Sequence, residues 1–538
     1  MKTTSFFERA LMVTVMAGIT GAVTNAQPQN KSTRKHASSF VAAKDASPVK
    51  QDTIPVTTKS AAARREYEMG MMHYEDLLLV DEGLEFFREA VKTDPHFALG
   101  HAMLGFATFD PAEASRHRAL AKQYIANATP DERTEIRWLN GTKDGQIVPA
   151  IAAMNDLIAK YPNDKQFANI VAAWLCSNEL AYDRGAEILE RVLAKDPEYA
   201  PAMNDLAYCY ALGGRAQLAA PWMDKYIAAM PDQPNPQDSY GEISRMMGNF
   251  PSALEHYRAA LKISPSFAAS QVGIATTYAL MGEEEQARVE YMKAEGMTKD
   301  APTIMDYRLL SAMTYFRENK MEEGRKAYTA LAQAAHKQDF AVKEAEAHRA
   351  MALFNPDPKG ALRDLDAARA ALSEKHVLSS GDRDTELATV LQTRAYIAVR
   401  AGQPEVAKAA LAPLTALART SRDNVVQQSY HAVNGSTLLL QGIYADAVSE
   451  LQYDPRNPLS LELLSVAETK AGEPAAGRDA LARLAAINDE RMETAFAAPR
   501  ARAALNSAPA GDAKPAVESK PSPVASPRPV GYRGGPLD

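Results

Sequence analysis

Cysteine is nearly absent from this chain, with two residues, Cys176 and Cys209, among 538. No cysteine pair stands at metal-ligand spacing, so metal sites built on such pairs are excluded. The phosphate loop G-x-x-x-x-G-K is missing, as are H-E-x-x-H and G-x-S-x-G. Those absences remove three familiar machineries for nucleotide binding, zinc proteolysis and serine hydrolysis, and leave no catalytic, cofactor-binding or metal residue to nominate. A strong excess of one charge is missing too: the formal net charge is −7. Displacing counterions from nucleic acid needs clustered Lys and Arg, so no nucleic-acid partner is expected.

A membrane span is also lacking. The apolar run Ala10 to Val23 is interrupted by Thr14, Gly18, Thr20 and Gly21, and falls short of the roughly 20 residues that cross a bilayer. Lys2 and Arg9 before it and Thr24-Asn25-Ala26 after it complete an export signal instead, residues 1–26, with cleavage before Gln27. No cysteine lies near the cut, so a lipid anchor is not supported, and no membrane span is expected after cleavage. The style of the signal looks bacterial, and the expected location is periplasmic or secreted. Residues 27–60, rich in Gln, Lys, Ser, Thr and Pro, read as a disordered linker. Residues 507–538, with Pro509, Pro515, Pro521, Pro523, Pro527, Pro529 and Pro536, read as a Pro-rich disordered tail.

Between these segments one pattern recurs with a fixed step. Pro197, Pro231 and Pro265 are 34 apart, as are Gly214, Gly248 and Gly282, then Ala207, Gly241 and Ala275, and Ala219, Ala253 and Ala287. A period of this length signals stacked supersecondary units. Within one unit Tyr240, Gly241 and Ser244 share a face of a first helix, and Ala253, Tyr257 and Ala260 share a face of a second. Gly248 ends the first helix and Pro265 stops the second. Such a hairpin cannot bury its apolar faces alone, so its neighbours must stack on it.

These columns resemble the tetratricopeptide repeat. The resemblance implies an all-α fold, a right-handed α-α superhelix of about a dozen helix pairs. Upstream, units end near Pro95, Pro130 and Pro162; Asp110-Pro111 breaks one first helix early, and Ala150, Met154 and Leu157 mark a second helix. Downstream, Gly324 with Tyr328, Ala361 with Leu365, Ala407, Ala447 and Gly477 mark further units. A loop at Ser379 to Asp384 is expected to divide an N-terminal lobe, residues 61–378, from a C-terminal lobe, residues 379–506.

In this family the first helices line the concave surface. The resemblance therefore points to a partner-binding groove of Ile170, Trp174, Asn204, Tyr208, Asp238, Glu242, Arg245 and Thr276, aromatic and Arg anchors being typical of interfaces. The basic-and-asparagine clamp by which some relatives grip C-terminal carboxylates is not present, because Asp238 and Glu242 put acid where it needs donors. Cys176 and Cys209 fall at nearly equivalent positions of adjacent units; two small buried hydrophobes are preferred over a disulfide staple, and spacing does not settle which. His73, His96 and His101 lack the same-face spacing of ligands. Asp382, Asp384 and Glu386 read as solvated charge in a loop.

The function expected is a non-enzymatic scaffold of the bacterial cell envelope that binds a protein or extended peptide in its concave groove. The alternative is an accessory factor or hydrolase for envelope polysaccharide using Asp238 and Glu242. Side chains projecting in parallel from one helix suit that poorly, since glycosidase carboxylates face each other across about 5–9 Å.

Overall fold

The computed structural model describes residues 52–373 and 378–507. The expected signal, most of the linker and the Pro-rich tail after Ser507 lie outside the described residues. Among the described residues every regular element is helical. Helices pair as hairpins in chain order. The first four are α1 (Ala61–Met71) with α2 (Val80–Thr93), α3 (Ala98–Ala107) with α4 (Pro111–Tyr124), α5 (Pro130–Lys143) with α6 (Ile147–Lys160), and α7 (Lys165–Ser177) with α8 (Tyr182–Lys195). Four more follow: α9 (Ala200–Leu212) with α10 (Ala220–Ala229), α11 (Asn235–Met246) with α12 (Phe250–Ile263), α13 (Ala268–Met281) with α14 (Glu284–Glu295), and α15 (Ala301–Arg317) with α16 (Met321–Lys337). The last four are α17 (Ala341–Leu353) with α18 (Pro358–Ser373), α19 (Ser380–Arg400) with α20 (Pro404–Thr420), α21 (Asn424–Leu440) with α22 (Tyr444–Leu451), and α23 (Pro458–Lys470) with α24 (Pro474–Ala485). A single closing helix, α25 (Met492–Ser507), ends the array.

The periodic residues do what their chemistry demands. Gly214, Gly248 and Gly282 all take positive φ, 77°, 76° and 83°, the turn geometry that a side chain disfavours. Tyr257 is buried between two glycines: a Cβ on Gly241 would lie 2.8 Å from its ring, and one on Gly273 of the next first helix 2.4 Å away. Small residues at those columns therefore let each second helix seat one aromatic ring between two first helices. Asp110 caps α4, accepting from the amides of Ala112 and Glu113, which is why that first helix stops early.

Four expectations need correction. The linker does not run to residue 60, because Asp52 onward is strapped to the array: Ile54 is buried and its amide donates to Asp164 Oδ2 at 2.9 Å, while Thr58 Oγ1 donates to Asp94 Oδ2. Polar side chains that look solvated in sequence find carboxylates on the first repeats. The loop expected at Ser379 to Asp384 is the first turn of α19, with Ser379 as cap accepting from the Asp382 amide at 3.0 Å. Glu386, expected in solvent, is fully buried beside Arg349. Finally, Cys176 and Cys209 are joined in a disulfide. The space for it comes from Gly185 on α8, where a Cβ would stand 2.2 Å from Cys176 Sγ and 3.2 Å from Cys209 Sγ.

The array curves until its last third meets its first half. Ser380 Oγ donates to the carbonyl of Asp144, Arg456 donates to the carbonyl of Leu212 and to Tyr182 OH, and Arg245 donates to Glu490. The separations are 236, 244 and 245 residues. Seven units of 34 residues make 238, so one turn of the superhelix takes about seven hairpins. The ends of early first helices thus abut the beginnings of late ones.

Candidate functional site

The eight groove residues are all buried, none more than 7% exposed. Three of them, Tyr208, Glu242 and Arg245, form one hydrogen-bonded series on the inner wall. Tyr208 OH donates to Glu242 Oε2 at 2.8 Å, and Arg245 donates to Glu242 Oε1 at 3.0 Å and to Glu490 Oε2 at 2.8 Å. Asp238 sits one turn before Glu242 and accepts from Ser270 Oγ at 2.5 Å. The others are separate: Asn204 donates to Asp205, Thr276 pairs with Tyr291 OH at 2.9 Å, and Trp174 meets Trp138 edge-on at 6.3 Å with Ile170 beside them in the core.

What covers this wall is the chain itself. Asn488 bonds the carbonyl of Met246, and Glu490 completes the ion pair of Arg245. Burial pushes the Glu490 carboxyl up to about 7, the adjacent guanidinium of Arg245 pulling the other way. Burial likewise raises Asp238, aided by the negative charge of Glu242. Neither Asp238 nor Glu242 reaches solvent, so the pair has no substrate face.

The open part of the hollow lies farther along, a chamber of about 280 Å³. Its charges are matched within the chain. Lys343 lies 2.7 Å from Asp306 and 2.8 Å from Glu346; Arg349 bridges Glu386 and Glu493; Asp454 accepts from Gln392 at 2.6 Å and Ser460 at 2.6 Å. Hydrogen bonds hold the Asp454 carboxylate, yet its burial raises its pKa. Asn424 and Gln428, one turn apart on α21, also line the chamber, half-buried. Among the described residues their side-chain amides take part in no hydrogen bond, so two donors and an acceptor apiece remain available.

Sequence reasoning missed this chamber because most of its residues come from the second half of the array, where the columns fade. One signal was present: Arg349 and Glu386 interrupt faces that otherwise carry small residues, such as Ala345 and Ala352 around the first. Among the described residues no cluster of three His, Cys, Asp or Glu is placed to hold a metal ion. No described helix is long and apolar enough to cross a membrane.

Residues 181–242 match the family model described as tetratricopeptide repeat. This stretch is a tetratricopeptide repeat. Among curated proteins no match was found. Similar solved structures include yeast Tom70 (13% identity, 77% of this chain, 96% of that one, TM-score 0.40). A tetratricopeptide repeat protein from Parabacteroides merdae shares 12% identity over 51% of this chain and 93% of its own, TM-score 0.33. MamA MSR-1 shares 24% identity over 31% of this chain and 95% of its own, TM-score 0.24. The matched stretch runs from α8 through the hairpin α9–α10 into α11; the other hairpins repeat its geometry with altered columns.

Proposed function

We propose that this repeat protein is a non-enzymatic scaffold exported to the bacterial envelope, and that it holds a protein partner through a short extended segment inserted in the chamber. The observation that carries the reading is the pair of unengaged amides, Asn424 and Gln428, facing a hollow whose charges are already neutralised. Amides match the main chain of an extended peptide, which offers alternating donors and acceptors irrespective of side chain. The small volume admits a few residues and no folded domain. Export is supported by the pattern of residues 1–26 and by a disulfide, which persists in oxidising compartments.

The hydrolase alternative loses its acid pair, since Asp238 and Glu242 are buried and bonded to Ser270, Tyr208 and Arg245. The test places a photoreactive amino acid at Gln428 and, as an outward control, at exposed Glu255 in cells that make the protein. A discrete protein adduct at 428 that is absent at 255 is the expected outcome, with the captured residues mapping to an unfolded segment of the partner. Equal labelling at both positions, or none at 428, would overturn the reading.

A further inference from the structure

A second pocket, about 620 Å³, opens where α25 crosses the ends of four first helices, α13, α15, α17 and α19. Its wall is aromatic. Phe316 and Phe354 stack with centroids 4.6 Å apart and planes within 9°, and Phe496 meets Phe354 edge-on at 5.2 Å. Its rim is cationic: Arg317, Arg400, Arg500 and Arg502 all line it.

Among the described residues, Arg500 alone of the four has a carboxylate partner, Glu462. Arg502 donates to the carbonyls of Ala485 and Ile487 and to Asn488 Oδ1, all neutral acceptors. Among the described residues Arg317 and Arg400 form no ion pair; Arg400 lies over the Phe496 ring at 5.1 Å. Burial lowers the pKa of Arg502, and the positive charge of Arg317 lowers it further, so these cations repel each other across the pocket. A cation at the end of α15 or of α19 gains from the helix dipole. That gain calls for neither a cluster of arginines nor a stacked aromatic floor beneath it.

Glu284 is the one acid in the lining, and it is buried with Oε2 lacking any hydrogen-bond partner. Burial pushes its carboxyl up to about 7. Near neutral pH it is therefore protonated much of the time, and a protonated carboxyl donates a hydrogen bond to an anion.

We propose that this pocket binds a flat organic anion of the aromatic-carboxylate class, with its ring against Phe354 and Phe496 and its carboxylate on the arginines that lack an acidic partner. Arginine suits this ligand doubly, since its planar fork pairs with carboxylate and its face packs on rings. The site is separate from the chamber and stands whether or not a peptide binds there.

The test is calorimetric titration of the full chain with naphthoate, with naphthamide as the uncharged isostere and inorganic phosphate as the anion without a ring. Naphthoate is expected to bind, naphthamide and phosphate to bind at least about tenfold more weakly. Arg317→Gln with Arg400→Gln should weaken naphthoate by about tenfold or more. Arg394→Gln, which removes a surface pairing with Asp366, should leave it unchanged. If the double variant fails to fold, Arg400→Gln alone, at an exposed position, should still weaken binding at least about threefold. Equal binding of naphthoate and its amide, competition by phosphate at equal concentration, or indifference to the arginine variants would each overturn the proposal.

Discussion

At the scale of single residues, the array depends on a few positions where nothing larger fits. Ala253 is fully buried at the crossing of two helices, whereas Glu255, two positions on, is exposed. Ala253→Leu is expected to cost about 1–3 kcal/mol through overpacking, and Glu255→Leu less than about 0.5 kcal/mol. Urea denaturation of both variants checks this, and equal midpoints would contradict the assignment of faces. These faces were legible in the sequence because a step of 34 residues keeps the same side chain in the same environment three times over. Buried charge was not legible. Glu386 and Arg349 look like surface residues until the chain folds back, since each is neutralised by a partner 37 residues away, and Arg349 also by Glu493, 144 away.

At the scale of elements, the fidelity of the columns tracks the ease of reading them. Hairpins α9–α10 and α11–α12 keep glycine in the turn and proline after the second helix, α13–α14 keeps only the glycine, and their limits fall where those residues stand. The start of α19 was misread as a loop because Ser379, Ser380, Gly381 and Asp382 are turn formers in isolation. In the folded chain Ser379 caps the helix, and Gly381 is needed because a Cβ there would lie 2.5 Å from the carbonyl oxygen of Lys143. The disulfide belongs to this scale as well. Cys176 and Cys209 are 33 residues apart in a 34-residue repeat, so the sequence alone leaves their faces undecided; Gly185 between them decides it. Closing a loop of that length stabilises the folded chain by about 3–4 kcal/mol in the chain-entropy account. Cys209→Ala should therefore lower stability by about that amount, and a reducing agent should do the same to the native chain but nothing to the variant. No response of the native chain to reduction would show that the hairpins alone fix α7 against α9.

At the scale of the whole molecule, stacking and closure together bury acids whose carboxyls are raised towards neutrality. Burial raises Glu490, Glu284 and Asp205 to about 7. Between the unfolded values near 4 and that figure, the folded chain keeps protons that the unfolded chain has released, so these groups favour folding more as pH falls through 7. Buried histidines act in the opposite sense. His117 is lowered to about 4 by burial and by the facing His101, so the stability it contributes is lost as pH falls from about 6.5 towards 4. Three raised acids outnumber this one lowered histidine, so the melting temperature should rise as pH falls from 8 through about 6.5 and go on rising towards about 5. A thermal melt series in buffers of matched ionic strength checks this, and a melting temperature that climbs steadily with pH from 6.5 to 8 would contradict it. The overall architecture of stacked hairpins was readable from periodicity, but its self-contact was not, because periodicity is local and a meeting across seven units depends on accumulated curvature.

The segment Asn488 to Glu493 comes almost at the end of the described chain, yet it completes a wall begun 245 residues earlier. A growing polypeptide therefore emerges with this inner wall bare, and the latch is made only some 245 residues later. Until it arrives, Arg245 and Glu242 stand open to water and to other macromolecules, which makes the nascent chain a different object from the finished one.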